Sequence, residues 1–314
     1  MTYRLSDFGR FHVGGRKVVV RDQPTRMMSY TPASPPTEKD PNGIYWIDQA
    51  YVQYFIPEDS ADRLPIIFLH GGGLTGVTWE TTPDGRPGWL QLFLKWGYPV
   101  YVVDQPERGR AGFSVVPNTW DGEPMSRAAE EAWTLFRFGD ADGFDRRTTY
   151  PGCDFPVNAL EAFIKQAVPR WTTTRPIHIA AFADVIDRIG PCTVICHSQG
   201  GDTAHPVVTA RPEIVRNVVA LEPSGFAPDP IADPLKGQRY LYVYGDFIDR
   251  HPMWRQLDQP ARSSAERLRS AGAEVDWWSL SDHGLPGQSH MLMMDRSSAK
   301  TAALVRDWIA KGRA

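Results

Sequence analysis

Residues 193–201 read T-V-I-C-H-S-Q-G-G, and the interpretation of the chain starts from them. The β-branched, apolar run at 193–195 is typical of a buried strand, and two glycines follow Ser198 and Gln199. This order predicts a strand, a sharp turn and the start of a helix, which is a nucleophile elbow of the G-x-S-x-G type with Cys196 in place of the first glycine. A serine on such a turn presents its hydroxyl to a substrate beside the first amides of the helix. Ser198 is therefore the predicted nucleophile.

At 314 residues the chain is long enough for one large α/β domain or for two small ones, and its composition is that of a soluble globular protein: 42% hydrophobic, 23% charged, with a net charge of −3. This charge gives no electrostatic reason to expect nucleic acid or an anionic membrane as a partner. Three cysteines give no disulfide framework, and no Cys/His spacing suggests zinc. The polar N-terminus and the lack of a long apolar run predict a cytoplasmic protein, and a chain whose signal peptide had been removed would look the same.

Strand-like and helix-like stretches alternate along most of the chain. The predicted strands lie at 45–56, 64–69, 99–103, 192–196, 215–221, 240–244 and 275–280, and the predicted helices at 89–96, 177–189, 261–271 and 299–311. Two short runs near the N-terminus, 11–13 and 17–20, are joined by Gly14-Gly15, which predicts a hairpin. The pattern as a whole predicts the α/β class, with a mostly parallel central sheet flanked by helices in a single domain, 1–314.

The alternation breaks between about residues 112 and 174. This stretch is too long for a plain loop in a compact domain, and it contains two short helix-like pieces, 126–138 and 158–168. We predict a helical cap insertion over the carboxyl edge of the sheet, packed down by its aromatic residues: Trp120, Trp133, Phe136, Phe138, Phe155, Phe163 and Trp171. These aromatics favour a substrate with an apolar or aromatic acyl or alcohol part.

A nucleophilic serine needs a base, and the base in turn needs a carboxylate that orients it. In this architecture the chain order is serine, acid, histidine, each at the carboxyl end of a strand. His290, in the loop after the last strand, is the predicted base. The other histidines after Ser198, at positions 205, 251 and 283, fit that place less well.

The sequence pattern alone does not decide which carboxylate orients the base. Most enzymes of this fold place it after the strand at 240–244, which favours Asp246 or Asp249. Glu222 ends the preceding strand, where a buried carboxylate costs desolvation unless it is paired. Pattern alone leaves Asp246 slightly ahead of Glu222.

A serine nucleophile also needs donors for the oxyanion that forms when it attacks. One predicted donor is the amide of Gln199 in the elbow. The second is expected in the H-G-G-G run at residues 70–73, because glycines let a backbone amide approach a carbonyl oxygen closely.

With these residues considered, the chain resembles the α/β-hydrolases, and within them the bacterial esterase 713 family. The resemblance is carried by residues 11–16 (FHVGGR), 74–76 (LTG), 78–86 (TWETTPDGR), 197–199 (HSQ), 220–223 (ALEP) and 289–291 (SHM). It implies a Ser198–His290–Glu222 triad whose acid follows the sixth strand of the sheet rather than the seventh. It also implies an oxyanion hole at Gly72 and Gln199. The esterase that names the family has two adjacent cysteines in this loop, where this chain has Gly72-Gly73, so no vicinal disulfide is expected.

These observations together predict a serine hydrolase that cleaves a small-molecule carboxylic ester or lactone through an acyl-enzyme. No metal or organic cofactor is implied. An amidase or acyltransferase that uses the same site is the alternative within catalysis. A non-catalytic binding protein on this fold is the alternative outside it. The sequence leaves the oligomeric state open, and a homodimer is one candidate because dimers are common among such enzymes.

Overall fold

A computed structural model describes residues 2–60, 63–116 and 119–312. Its strands are β1 (Leu5–Val20), β2 (Arg26–Met28), β3 (Thr37–Lys39), β4 (Gly43–Pro57), β5 (Ile66–Leu69), β6 (Val100–Asp104), β7 (Cys192–His197), β8 (Val215–Leu221), β9 (Arg239–Tyr244) and β10 (Glu274–Ser279). Its α-helices are α1 (Trp89–Lys95), α2 (Ala129–Leu135), α3 (Leu160–Ile164), α4 (Arg175–Ile189), α5 (Gly200–Thr209), α6 (Pro252–Ser270) and α7 (Ser298–Lys311).

Eight strands form one sheet in the order β1-β4-β6-β5-β7-β8-β9-β10, and β2 pairs separately with β3. The six strands from β6 to β10 in that order are mutually parallel, whereas β4 is antiparallel to both of its neighbours. Parallel strands bring their carboxyl ends to one edge of the sheet, where ligand sites form in open α/β folds. The predicted α/β class and mostly parallel sheet are confirmed.

Both faces of the sheet are covered by helices because the central strands are apolar on both sides. Along β5, Ile66 and Phe68 face a core that includes α1 and α7, while Ile67 and Leu69 face a core that includes α4 and α5. The whole of β5 and β7 is buried, as expected for strands inside a two-sided parallel sheet. This packing holds the loops at the carboxyl edge on a rigid base.

The hairpin predicted at Gly14-Gly15 is wrong. Strand β1 runs straight through both glycines and pairs with β4 in one continuous register around them. The glycines serve close packing instead: a Cβ on Gly14 would lie 2.7 Å from Oδ2 of Asp184 and 3.3 Å from Cα of Ala181, both on α4. Their φ angles of 70° and 84° bend the strand without reversing it.

The segment predicted as a cap, 112–174, contains α2, α3 and short 3₁₀ turns. It contacts the body at several backbone positions: Val168 donates to the Gly73 carbonyl at 2.9 Å, and Asp154 to that of Gly287 at 2.7 Å. Both partners belong to loops at the carboxyl edge of the sheet. The segment therefore lies against the elements that carry the predicted site.

None of the described helices combines the length and the apolar character that crossing a bilayer requires.

Candidate active site

The elbow forms where β7 passes into α5. Ser198 has a φ of 51°, a conformation that side chains other than glycine rarely adopt, and its amide donates to the Leu221 carbonyl at 3.0 Å. The next turn is tightly packed, because a Cβ on Gly200 would lie 2.8 Å from the His70 carbonyl oxygen. Cys196, in the place of the motif's first glycine, is fully buried in the core. The side chain of Ser198 stays partly exposed, as the motif predicts.

The structure brings Glu222 and His290 together at the end of β8. Nδ1 of His290 lies 2.6 Å from Oε2 of Glu222, and both side chains are fully buried. The other carboxylate oxygen, Oε1, accepts from Nη2 of Arg137 at 2.5 Å and from the Gly245 amide at 2.7 Å. Each oxygen of Glu222 is thus paired, which is what a buried carboxylate requires.

These partners set the charge of the pair. Burial alone would raise the pKa of the Glu222 carboxyl, but Arg137 and His290 outweigh it and hold that pKa at about 2. Burial lowers the pKa of His290 below its ordinary value, against the opposing effect of Glu222. Near neutral pH the pair is therefore a carboxylate beside a neutral imidazole, the state in which a histidine can act as a base.

The ring of His290 is fixed on all sides except at Nε2. It stacks at 5.6 Å on Phe136 and lies 4.1 Å from the Trp254 ring, and the amide of His290 donates to the Phe136 carbonyl. Within the described part of the chain, Nε2 has no hydrogen-bond partner. The catalytic bond from a serine to a base is often formed only when substrate is bound.

Asp246, which pattern alone favoured as the acid, lies elsewhere. Its Oδ2 accepts from the amides of Gly287, at 2.5 Å, and Gln288, at 3.2 Å, and so holds the loop that leads to His290. Asp249 is exposed in a 3₁₀ turn. The structure thus places Glu222, and neither aspartate, on the imidazole.

The three other histidines considered as bases have partners of their own. His205 is buried inside α5, with Nδ1 2.8 Å from the Gly201 carbonyl oxygen. His251 caps the N-terminus of α6, and the ring of His283 packs at 4.6 Å on Trp278. None of these contacts directs an imidazole at Ser198.

The predicted oxyanion loop lies directly against the elbow. A Cβ on Gly72 would be 2.5 Å from Oε1 and 3.4 Å from Cβ of Gln199, so the two residues are in contact. The loop is anchored by His70, which lies 2.8 Å from the Gly71 carbonyl oxygen through Nδ1 and accepts from the Gln105 amide through Nε2. Burial lowers the pKa of His70 to about 4, so this anchor is neutral.

Two cavities meet at this point. The first, about 240 Å³, is lined by Ser198, Gln199, Gly72 and His290 together with side chains of α2 and α6. The second is a narrow space of about 30 Å³ with mostly apolar walls from the 72–74 loop and the 112–174 segment. Arg127 and Arg170 belong to both cavities. Of the seven aromatic residues predicted to pack the cap, Phe136 and Phe163 line these cavities.

Sequence reasoning missed the arginines of this site. Arg137 lies between two aromatic residues of the segment and is fully buried, yet it bonds Glu222 and donates through Nε to the Asp246 carbonyl at 2.8 Å. Arg170 donates to Oε1 of Gln199 at 2.9 Å. An arginine within an aromatic, apolar stretch was the available signal, because such a charge is buried only when it is paired.

Comparison with known proteins gives a bacterial relative that aligns over the full length of the chain. A solved bacterial esterase is 33% identical and superposes with a TM-score of 0.86, covering 100% of this chain and 98% of the other. A probable secreted lipase from a fungus (Fungal sp.) is 29% identical over an alignment of 327 positions, which covers 83% of this chain and 85% of the lipase. No protein-family profile matches the chain.

Proposed function

Since this chain belongs to the α/β-hydrolase superfamily, in the same family as the bacterial esterase that it matches over its full length, we propose that it hydrolyses a carboxylic ester or lactone through an acyl-enzyme. In this proposal Ser198 is the nucleophile, His290 the general base and Glu222 the acid that orients it. The amides of Gly72 and Gln199 are the oxyanion donors.

The observation that carries the proposal is the position of His290. Its Nδ1 is bonded to a carboxylate held in the charged form, and its Nε2 faces no other described partner while the residue lines the same cavity as Ser198. A histidine fixed at Nδ1 and free at Nε2 is arranged to take a proton from a serine hydroxyl. The positive φ of Ser198 supports the same reading, because strain of this kind is kept where a side chain must be presented.

The proposed reaction has two halves. Ser198 Oγ attacks the ester carbonyl while Nε2 of His290 takes its proton, and the carbonyl oxygen becomes an oxyanion that accepts from the Gly72 and Gln199 amides. The intermediate collapses as the imidazolium returns the proton to the leaving alkoxide, which departs as the alcohol. Water then attacks the acyl-enzyme with His290 again as base, and the acid and free Ser198 are released. Glu222 keeps Nδ1 protonated and stabilises the imidazolium in both halves.

The test compares Ser198→Ala with wild type on a panel of short esters and the matching amides. We expect the variant to lose at least about 10⁴-fold in kcat, because the remaining groups cannot form an acyl-enzyme. A fluorophosphonate probe should label wild type on Ser198 and leave the variant unlabelled. Ser281→Ala, which changes an exposed serine away from the cavities, is the control. Ester turnover at the wild-type rate by Ser198→Ala would overturn the proposal.

The location and the oligomeric state of the protein stay predictions. The sequence predicts a cytoplasmic protein, whereas the fungal relative is a probable secreted lipase. Sedimentation equilibrium of the purified chain decides between a monomer and the candidate homodimer, whose mass is twice that of the monomer.

A further inference from the structure

Two arginine side chains lie at the boundary between the cavity that Ser198 and His290 line, here called the catalytic cavity, and the narrow apolar cavity. Arg127 and Arg170 line both spaces, and Arg170 contacts the oxyanion loop closely: a Cβ on Gly72 would lie 2.9 Å from its Nη1. The proposed reaction uses neither of them. They therefore need a separate explanation.

Arg170 is partly buried and has no carboxylate partner. Its Nη1 donates to the neutral side chain of Gln199 at 2.9 Å, and among the described residues no acidic group lies within 4.0 Å of it. Burial lowers the pKa of the Arg170 guanidinium, and the neighbouring charge of Arg127 lowers it further. Two guanidinium groups are thus held near one another at a partly desolvated place, an arrangement that costs free energy until an anion joins them.

The acidic groups nearby are already engaged. Arg127 pairs with Glu131 one turn along α2, and Glu131 is itself about half exposed. Asp202 lines the catalytic cavity, but it is bonded at 2.8 Å to Arg175.

Two further carboxylates, Glu107 and Glu222, are buried and have partners of their own. Glu107, whose charge reaches Arg170, is bonded to Arg108, to the hydroxyl of Thr174 and to the amide of Trp171. Glu222 is held by Arg137 and His290. Glu107 and Glu131 offset the charge of Arg170 from a longer distance, but among the described residues no carboxylate pairs with it within 4.0 Å.

We propose that the substrate of this site is an ester that carries a free carboxylate, and that Arg170, assisted by Arg127, binds this carboxylate. The inference rests on the proposed ester hydrolysis at Ser198 and specifies its substrate class. A guanidinium binds a carboxylate through two parallel hydrogen bonds, which gives orientation as well as affinity. Because Arg170 lies beside the oxyanion loop, the carboxylate is a few bonds from the scissile carbonyl. Monoesters of short dicarboxylic acids have this form.

The experiment measures kcat and KM for monoethyl glutarate and for its neutral counterpart ethyl pentanoate, by chromatography of the released acid. We expect wild type to prefer the charged ester, mainly through a lower KM. In Arg170→Gln the ratio of the two kcat/KM values should fall about 10- to 100-fold, as expected for loss of hydrogen bonds to a charged group. Arg127→Gln should lower the ratio less. Arg146→Gln, an equal charge change at an exposed place in the same segment, is the control and should keep the ratio.

A binding measurement separates this inference from the proposed function. Calorimetry of Ser198→Ala should show binding of monoethyl glutarate that is lost in the Ser198→Ala, Arg170→Gln double variant. If Ser198→Ala lost no activity, the proposed function would fail. If Ser198→Ala were inactive but wild type showed no preference for the charged ester, only the present inference would fail.

Equal losses of kcat for both esters in Arg170→Gln would also overturn the inference, because Arg170 would then only position Gln199. Tighter binding of ethyl phosphate than of monoethyl glutarate would assign the site to a phosphoryl group instead.

Discussion

At the end of β8, Glu222 has a φ of 43° and directs its carboxylate back over the sheet edge toward His290. The neighbouring strand offers Asp246, whose carboxylate instead accepts two backbone amides of the loop before His290. The two acids thus have separate tasks, one that holds the imidazole and one that holds the loop carrying it. Substitutions that keep their shape can tell these tasks apart.

Glu222→Gln should lower kcat by about 10³- to 10⁴-fold, because an amide neither stabilises the imidazolium nor fixes the Nδ1 proton as a carboxylate does. Asp246→Asn should lower kcat by no more than about tenfold, because the remaining amide oxygen still accepts from the amides of Gly287 and Gln288. Steady-state kinetics on one activated ester measures both. A larger loss for Asp246→Asn than for Glu222→Gln would reverse the proposed assignment.

The residues of the site were predictable to different degrees. Ser198 and His290 follow from local pattern, because the elbow and the last loop each leave few alternatives. The choice between Glu222 and Asp246 does not, because both follow buried strands and only the family resemblance favoured Glu222. The aromatic stretch around Arg137 indicates a paired arginine, but the partners of Arg137 and Arg170 were not predictable, since Glu222 and Gln199 lie 85 and 29 positions away in sequence.

At the scale of elements, the site depends on the 70–73 loop lying flat against the start of α5. Gly72 is the point of contact, because a side chain there would run into Oε1 of Gln199. Oε1 is the end of a flexible side chain that is also bonded to Arg170. The clash can therefore be relieved by shortening the side chain of Gln199.

Gly72→Ala should lower kcat about 100-fold, because the added methyl group would displace a proposed oxyanion donor. Gln199→Ala keeps its backbone amide and removes the obstructing side chain, so the double variant should recover at least about tenfold over Gly72→Ala alone. Kinetics of the two single variants and the double variant completes the cycle. Strictly additive losses would show that contact with Gln199 does not limit the loop.

The bounds of helices and strands were predictable where the sequence pattern agrees with the packing. They were missed where a glycine or a proline, which often marks a turn, lies inside a helix or strand. Gly14-Gly15 predicted a turn, but the glycines allow α4 to approach β1. The helix predicted at 261–271 is too short, because α6 begins at Pro252 and continues through Pro260. The periodicity of β8 and α7, which no such residue interrupts, gave their bounds within a residue.

At the scale of the whole molecule, distant segments meet around the loop that carries His290. Arg86, in the 78–86 stretch that carries the family resemblance, donates to the carbonyl oxygens of residues 294, 295 and 296 at 2.8 to 3.0 Å. Asp154, from the 112–174 segment, accepts from the side chain of Gln288 at 3.0 Å. The site is therefore held by contacts across more than half of the chain, which local sequence pattern cannot register.

The cores that support this arrangement contain buried imidazoles. His205 is fully buried, with Nδ1 2.8 Å from the Gly201 carbonyl oxygen and Nε2 3.1 Å from the hydroxyl of Tyr242. Burial lowers its pKa to about 4 in the folded protein, whereas an exposed histidine in the unfolded chain titrates near 6.5. Between these values the unfolded chain binds more protons, so the free energy of unfolding should fall as pH falls from about 6.5 toward about 4.

From these two pKa values, lowering the pH from 7.5 to 5 should remove about 2 kcal/mol of unfolding free energy through His205 alone. Urea unfolding of wild type and His205→Gln at a series of pH values measures this directly. Over this range the free energy of unfolding should rise more steeply with pH in wild type than in His205→Gln. The difference in slope corresponds to at most one bound proton. Asp295, whose pKa burial raises to about 8, contributes a slope of opposite sign, but it does so equally in both proteins and cancels in the difference. Parallel curves would mean that His205 is protonated in the folded protein as readily as in the unfolded chain, and the buried neutral imidazole would have to be abandoned.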